Sequence, residues 1–509
     1  MKAYFFAALT GAACVLSYAP LEWWWLMPLC LMSLYYLLWP VEQSKQAFFI
    51  AFLFGLGQFG VGASWVYVSL QEYGNMPVWM ASIAVFFFVA ALAFFTGLVG
   101  LFFHYGRRNR DQNVWFLVLW FTCLWVIAEW LRSFVLTGFP WLDVGYSQTT
   151  RWLSGYAPIG SVYLVSFVTV LCSILAFHII RAFLECHRES SALLNAKSVP
   201  LILTLSSLIV AGVVLQKVPW SKPTGEDFQV VIVQGNVPVD EKWEARYRSK
   251  IIADYVRQIQ QYTADLVILP ETALPFYLDQ VDDRFWRQLK GRNKAILAGV
   301  IERNLATRQV YNSAKILCDT GEQESISQVY RKQHLVPFGE YLPLRSLLNW
   351  VLDYLQIPMS DFTAGSSEQV LECLGMQIGL SICYEDAFAA GARQSLPEKS
   401  ENGVLINISE DAWFGDSLAP HQRVQMAQMR AQELARPMLR SANSGPSTHI
   451  NFQGEVLAST GQFVKDSMLV TVQPRTGDTP FKRVGLWIIW VCLVVLLMQF
   501  CCYFFYRKN

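Results

Sequence analysis

GLSICYEDAF, residues 379–388, lies far from any apolar run of membrane length. It reads as a short apolar strand that delivers Cys383 and then Glu385 and Asp386 at the start of a helix. Similar short runs surround it: QVVIVQG (229–235), DLVILPE (265–271), AILAGVI (295–301), MQIGLSIC (376–383) and GVLINIS (403–409). Their Val, Ile and Leu content is that of strands buried on both faces. Between them lie polar, helix-like stretches, EARYRSKIIADYVRQIQQY (244–262) and HQRVQMAQMRAQELARPML (421–439). Short apolar strands alternating with amphipathic helices predict an α/β domain over residues 217–483, large enough for its own core.

Outward from that domain the chain changes character. Of 509 residues, 54% are hydrophobic and only 16% charged, against roughly 25% charged in soluble domains. Apolar runs at 3–19, 23–39, 47–69, 77–103, 113–136, 160–181, 199–216 and 484–505 predict eight membrane spans, most of them near the roughly 20 residues a helix needs to cross. The chain therefore divides into 1–216 (spans one to seven), the domain 217–483, and 484–509 (span eight and a tail). The first two spans, separated by Pro20-Leu21-Glu22, read as a tight helical hairpin. A cleavable leader fits less well: a second span follows at once, and no A-x-A site stands clear.

Eight spans put both termini on one side. Lys2, Lys45, Arg107, Arg108, Arg110, Arg188, Lys197, Arg507 and Lys508 fall on that side, with little beyond Arg151 in the short loops opposite. Cytoplasmic loops carry the excess of Lys and Arg, so both termini are expected in the cytoplasm and 217–483 outside it. Glu129, Arg132 and Asp143 read as interfacial charges at the outer end of span five, and Trp23, Trp24 and Trp25 as an interfacial belt. A net charge of +1 recommends no nucleic-acid partner. Most of the eleven cysteines sit in apolar runs, with no CxxC pair or Cys/His cluster at metal spacing. Neither a metal nor a cofactor is expected.

Three strands of the domain end in chemically loaded residues. VILPETALPF carries Glu271, QVYRKQHLVPFGEYLP carries Lys332, and GLSICYED carries Cys383. Ligand sites in α/β sheets gather where strands end. A carboxylate as base, an ammonium as anion stabiliser and a thiol as acyl carrier would make a nucleophilic site. Taken singly, Cys383 reads more readily as an inert buried thiol, Glu271 as a helix cap or surface acid, and Lys332 as a solvated loop lysine.

LPETALPF, YRKQHLVPFGEYLP, LSICYEDAF and NISEDAWFGD together resemble the Glu, Lys and Cys motifs of the nitrilase (carbon–nitrogen hydrolase) superfamily. The PFGEYLP extension, the CYED strand end and the surrounding spans resemble its membrane branch, the apolipoprotein N-acyltransferase family. The resemblance runs over the whole chain, with its motifs in order. It implies an α-β-β-α sandwich on an eight-helix membrane base in the bacterial inner membrane, the catalytic domain in the periplasm. It implies acyl transfer from a phospholipid, typically phosphatidylethanolamine, to the α-amine of the S-diacylglyceryl cysteine that begins an apolipoprotein. By motif match Glu271 is general base, Lys332 the stabilising cation and Cys383 the nucleophile. Glu340, Tyr384, Glu385, Trp243, Trp413 and Asn407 are expected to support the site or bind substrate. A monomer is expected.

Two expectations follow for the sulfur and its surroundings. Cys318 and Cys373 share the domain with Cys383; the chemistry needs Cys383 to stay a free thiol. LPLRSLLNWVLDYLQIPM (342–359) reads either as a core helix or as an amphipathic arm over a lipid entry. A membrane-anchored amidase would use the same three residues and pass the acyl group to water. A transporter with a soluble lobe would place charges at mid-membrane and repeat its halves; these spans have few mid-membrane charges and the sequence shows no internal repeat, and transport would survive loss of Cys383.

Overall fold

The structure, a computed structural model, describes residues 1–108, 113–188, 198–319, 325–341, 361–366 and 370–507. The segment 342–359 lies outside the described residues. Two compact units emerge: Met1–Tyr67 with Val78–Val218 and Val484–Asn509, and Val68–Pro77 with Pro219–Arg483.

The first unit is helical. Val78–Arg107, Val114–Arg132, Ser154–His187 and Ser198–Leu215 are long and apolar enough to cross a membrane. Ser44–Gly62 and Trp65–Tyr73, bent by 53°, make a fifth if counted as one span. Lys2–Ser17, Leu26–Leu38 and Trp487–Cys501 are apolar but shorter. The eight expected spans thus correspond, among the described residues, to four or five of full length and three shorter helices. The first helix packs on Ser44–Gly62 backbone to backbone, because a Cβ at Gly11 would stand 1.9 Å from the Phe54 carbonyl oxygen. Small residues at such crossings are how apolar helices associate without a hydrophobic driving force.

The charges expected at a wet interface are instead buried. Arg132 pairs with Asp143, and Glu129 accepts hydrogen bonds from Trp125 Nε1 (2.9 Å) and the Val144 amide (2.8 Å). The short turn Val144–Gln148 is itself buried and supplies the Val144 amide, so protein takes the place of water. Trp23 and Trp25 stack on one another and are about half exposed, while Trp24 packs on Trp152.

The second unit carries the strands. In chain order these are β1 (Lys222–Pro223), β2 (Phe228–Gln234), β3 (Leu266–Ile268), β4 (Ala295–Asn304), β5 (Gln309–Asp319), β6 (Ser325–Arg331), β7 (Leu371–Cys373), β8 (Met376–Ile382), β9 (Gly403–Ser409), β10 (Met438–Ala442), β11 (Thr448–Ile450), β12 (Val456–Ser459), β13 (Asp466–Val472) and β14 (Arg475–Thr476). One sheet has the order β13-β2-β3-β4-β5-β6; the other runs β1-β14-β9-β10-β11-β12, with β8 also on β9 and β7 on β8. The central pairs β2–β3, β3–β4, β8–β9 and β9–β10 are parallel, which explains why these runs are apolar throughout rather than alternating.

Helices Ala245–Ile259 and Asp283–Lys290 cover the first sheet, burying Ile251, Tyr255, Trp286 and Leu289 against Val231, Val267, Ile296 and Ala298. Helix Leu418–Leu434 packs on β10 and β11 of the other sheet. The sheets meet where β10 lies against β2: Ser441 donates its hydroxyl to the carbonyls of Val233 (2.8 Å) and Ile268 (3.4 Å). A disulfide, Cys318–Cys373, with Cα atoms 5.9 Å apart, ties β5 of one sheet to β7 of the other.

Candidate active site

Each sheet contributes half of the site. β3 ends at Ile268, and the chain runs on through Leu269-Pro270 to Glu271. The 270–272 segment crosses close over β4 because Gly299 leaves room: a Cβ there would stand 2.4 Å from the Thr272 amide nitrogen. Lys332 follows β6 directly, its amide bonded to the Asn312 carbonyl at 2.8 Å. From the other sheet, β8 ends at Ile382 and Cys383 opens a tight turn, Cys383–Ala387, with φ of +53°. A non-glycine residue there is strained and needs surroundings that hold it.

The carboxylates and the ammonium form one buried network. Glu271 Oε1 accepts from Asn312 Nδ2 at 2.7 Å and faces Lys332 Nζ at 3.5 Å; its Oε2 accepts from the Glu410 amide at 2.8 Å. Lys332 Nζ donates to Glu340 at 2.9 Å, and Asn312 Nδ2 bridges Glu271 and Glu340, 2.7 Å from each. Burial works against the Lys332 charge, but Glu340, Glu271 and Cys383 outweigh it and raise the ammonium above its ordinary value. It stays protonated at any physiological pH.

Cys383 is a free, buried thiol, as the chemistry requires. Burial, reinforced by the Glu271 charge, pushes it up to about 11, although Arg423 and Lys332 pull the other way. The resting sulfur is therefore a thiol, and attack needs a base to remove its proton.

Glu385 ties the two halves together. Its Oε1 accepts from the amides of Gln333 (2.6 Å) and His334 (3.0 Å), just after Lys332; its Oε2 accepts from Ile382 (2.7 Å), just before Cys383, and from the Tyr330 hydroxyl (3.0 Å). Glu385 is thus a clamp between the lysine strand and the cysteine turn. Asn407 on β9 donates to the Cys383 carbonyl at 3.1 Å and to Ser381 Oγ at 2.9 Å. Tyr384 packs its ring on Phe388 and His334.

The two tryptophans stand farther out. Trp243 is 37% exposed at the end of helix Val239–Lys242. Trp413 packs edge-on to Tyr73 at 5.4 Å, and its carbonyl accepts from Ser69 Oγ at 2.7 Å. Neither ring joins the hydrogen-bonded cluster around Glu271.

Several groups went unnoticed in the sequence. Asn312, from β5, links the two glutamates. Lys242 forms a buried ion pair with Glu410, next to Glu271. Beneath Cys383, Asp386, already read from the sequence, joins a second cluster with the unnoticed Arg423, Asp411 and Arg440. Burial opposes the Asp411 charge, yet Arg440 and Arg423 hold its carboxyl below the ordinary value. The signal was present in part: Glu410 and Asp411 stand inside NISEDAWFGD, and Lys242 precedes Trp243.

Residues 10–175 match the family model described as apolipoprotein N-acyltransferase N-terminal domain, and 229–481 match that of carbon-nitrogen hydrolase. An apolipoprotein N-acyltransferase of Nitrosomonas europaea is 35% identical over 495 residues, covering 96% of this chain and 95% of its own. That of Methylococcus capsulatus is 38% identical over 495 residues, covering 96% and 93%. A solved CN-hydrolase superfamily protein from Xanthomonas campestris covers 49% of this chain and 91% of its own at 20% identity, with a TM-score of 0.38.

Proposed function

The chain belongs to the apolipoprotein N-acyltransferase family, and from that premise we propose that it moves a fatty acyl chain from a phospholipid, through a thioester on Cys383, to the α-amine of the N-terminal S-diacylglyceryl cysteine of an apolipoprotein. The observation that carries the reading is the pairing of Glu271 with Lys332 at 3.5 Å, both charges acting on a free Cys383 thiol.

In this reading Glu271 takes the thiol proton and the sulfur attacks the ester carbonyl. The tetrahedral oxyanion rests on Lys332, with a backbone amide near Cys383 as second donor. Glu271 returns the proton to the leaving lysophospholipid. It then takes a proton from the incoming amine, which must be neutral to attack the thioester. The thioester conserves the reactivity of the ester, so no energy source is needed, and the kinetics are ping-pong. Glu340 fixes the ammonium, and Glu385 and Asn407 fix the turn that carries the sulfur. Trp243 and Trp413 support the site or bind substrate. The donor is phosphatidylethanolamine and the enzyme a monomer.

The same reading places both termini in the cytoplasm and residues 217–483 in the periplasm. Three observations support it: the excess of Lys and Arg on the terminal side, the Cys318–Cys373 disulfide, a bond of oxidising compartments, and the packing of Val68–Pro77, an outer loop by span count, within the strand-rich unit. Hydrolysis of small amides would use the same triad, but the match of residues 10–175 to the N-acyltransferase family disfavours it.

The test supplies the purified protein with phosphatidylethanolamine carrying a labelled acyl chain and a diacylglyceryl-cysteinyl peptide. Label should reach the peptide when its N-terminus is free and not when it is acetylated. Release of free fatty acid, with no labelled peptide, would mean that water and not the amine is the acyl acceptor, and would overturn the N-acyltransferase reading.

A further inference from the structure

The stretch 421–439 reads in the sequence as polar and helix-like, yet in helix Leu418–Leu434 Gln422, Arg423 and the whole run from Gln425 to Leu434 are buried. A charged side chain is fully buried only when paired. Arg423, 1% exposed, spends its guanidinium on the turn that carries the sulfur. Nη1 lies 3.2 Å from Cys383 Sγ, 3.0 Å from Ser409 Oγ and 3.3 Å from Asp411 Oδ1. Nη2 donates to the Cys383 carbonyl at 2.6 Å and to Asp386 Oδ1 at 2.9 Å, and faces Asn407 Oδ1 at 3.5 Å.

We propose that Arg423 is a fourth catalytic residue, a fixed guanidinium that donates one hydrogen bond to the Cys383 sulfur and one to the Cys383 carbonyl, so that the thiolate forms in place as attack begins. The proposal rests on the acyl-transfer reading of the site. As Glu271 removes the Sγ proton, negative charge appears on a sulfur already bonded to a cation. The S–C bond then forms, the ester C–O bond breaks, and the proton passes from Glu271 to the departing alkoxide. Arg423 keeps all its protons throughout, as a guanidinium does in a protein.

Lys332 also acts on the sulfur, while its ammonium is bonded to Glu340 and faces Glu271. The charges acting on the sulfur are Glu271, Arg423, Lys332 and Asp411. Those acting on Arg423 are Asp386, Asp411 and Cys383 itself, and they raise it well above its ordinary value against the opposing effect of burial. The guanidinium is therefore a permanent cation. A planar fork also holds two acceptors at a set angle, which pins the strained turn at φ +53°.

The test follows alkylation of Cys383 by iodoacetamide against pH in the full-length protein in detergent, read by mass spectrometry on the peptide that contains Cys383. For R423Q the rate at about pH 8 should fall about 10²-fold, the usual effect of removing one donor from a developing anion, with the profile displaced to higher pH. R423K, which keeps the charge without the fork, should recover to within about tenfold of the unsubstituted protein with its profile in place. If R423Q alone fails to fold, the double variant D386N/R423Q neutralises the buried pair together and should show the same displacement. Unsubstituted rate and profile in R423Q, or in the double variant, would overturn the proposal. Alkylation needs no lipid, so a protein that takes no acyl chain from phospholipid would break the acyl-transfer reading and leave this measurement standing.

Discussion

Both units bury an arginine against aspartate, and the two clusters behave differently. In the helical unit Arg132 pairs with Asp143 while Glu129 holds Trp125 and the Val144 amide. These contacts lie within helix Val114–Arg132 and between it and residues 143–144, and Arg132 also sits over the Phe59 ring at 4.7 Å. In the strand-rich unit Arg423 joins three elements, and its contacts converge on the sulfur and carbonyl of Cys383. A buried ion pair gives little net stability over an apolar filling, yet losing one partner is costly. Burial of charge therefore does not mark a site. What marks it is a buried charge aimed at an atom that must itself change charge.

That contrast can be broken by substitution. C383A should abolish acyl transfer outright and leave the fold intact, since a small apolar side chain replaces a small buried thiol; transfer surviving in C383A would move the chemistry elsewhere. E271Q keeps the shape and removes the base, and should slow acylation by about 10²–10⁴-fold, measured as the rate of adduct formation on Cys383. A smaller effect is expected from pH. With the thiol raised to about 11, the group stays protonated through neutral pH and loses its proton only as pH climbs towards that value. Alkylation of Cys383 should then rise about tenfold per pH unit across the neutral and mildly alkaline range, tracking thiolate fraction. A plateau near neutrality would mean a preformed thiolate and a different role for Glu271.

The smallest effect on rate belongs to the helical cluster. D143N should cost about 3–5 kcal/mol of stability by removing one partner of the buried Arg132–Asp143 pair, visible as a lower melting temperature. Alkylation of Cys383 in the folded protein should change by less than about twofold. A large change would show that the buried charges of the helical unit also tune the sulfur, and the contrast would fail.

The ends of two strands were legible because parallel strands buried on both faces leave a run of Val, Ile and Leu, and Glu271 and Cys383 follow such runs; Lys332 follows β6, an antiparallel edge strand of mixed composition, and was legible through its motif. Glu340 and Glu385 were legible only through resemblance; as isolated glutamates they carry no signal. Arg423 was hidden because helix Leu418–Leu434 has a polar composition and a buried position, and composition alone reports the first. The Cys318–Cys373 bond was silent too: its halves are 55 residues apart in sequence and lie on different sheets. In the helical unit the apolar runs marked where helices lie, but not their lengths. The turn Val15–Ser17 and the bend after Gly62 shorten two of them, and such breaks depend on packing rather than on hydropathy.

The most direct measurement of the central claim is the intact mass of the purified protein after mixing with phospholipid alone. A single added acyl chain, mapped to Cys383 and discharged by a diacylglyceryl-cysteinyl peptide with a free N-terminus, is the predicted result. A protein that turns over phospholipid with no adduct on Cys383, or with an adduct that the peptide cannot remove, would contradict it.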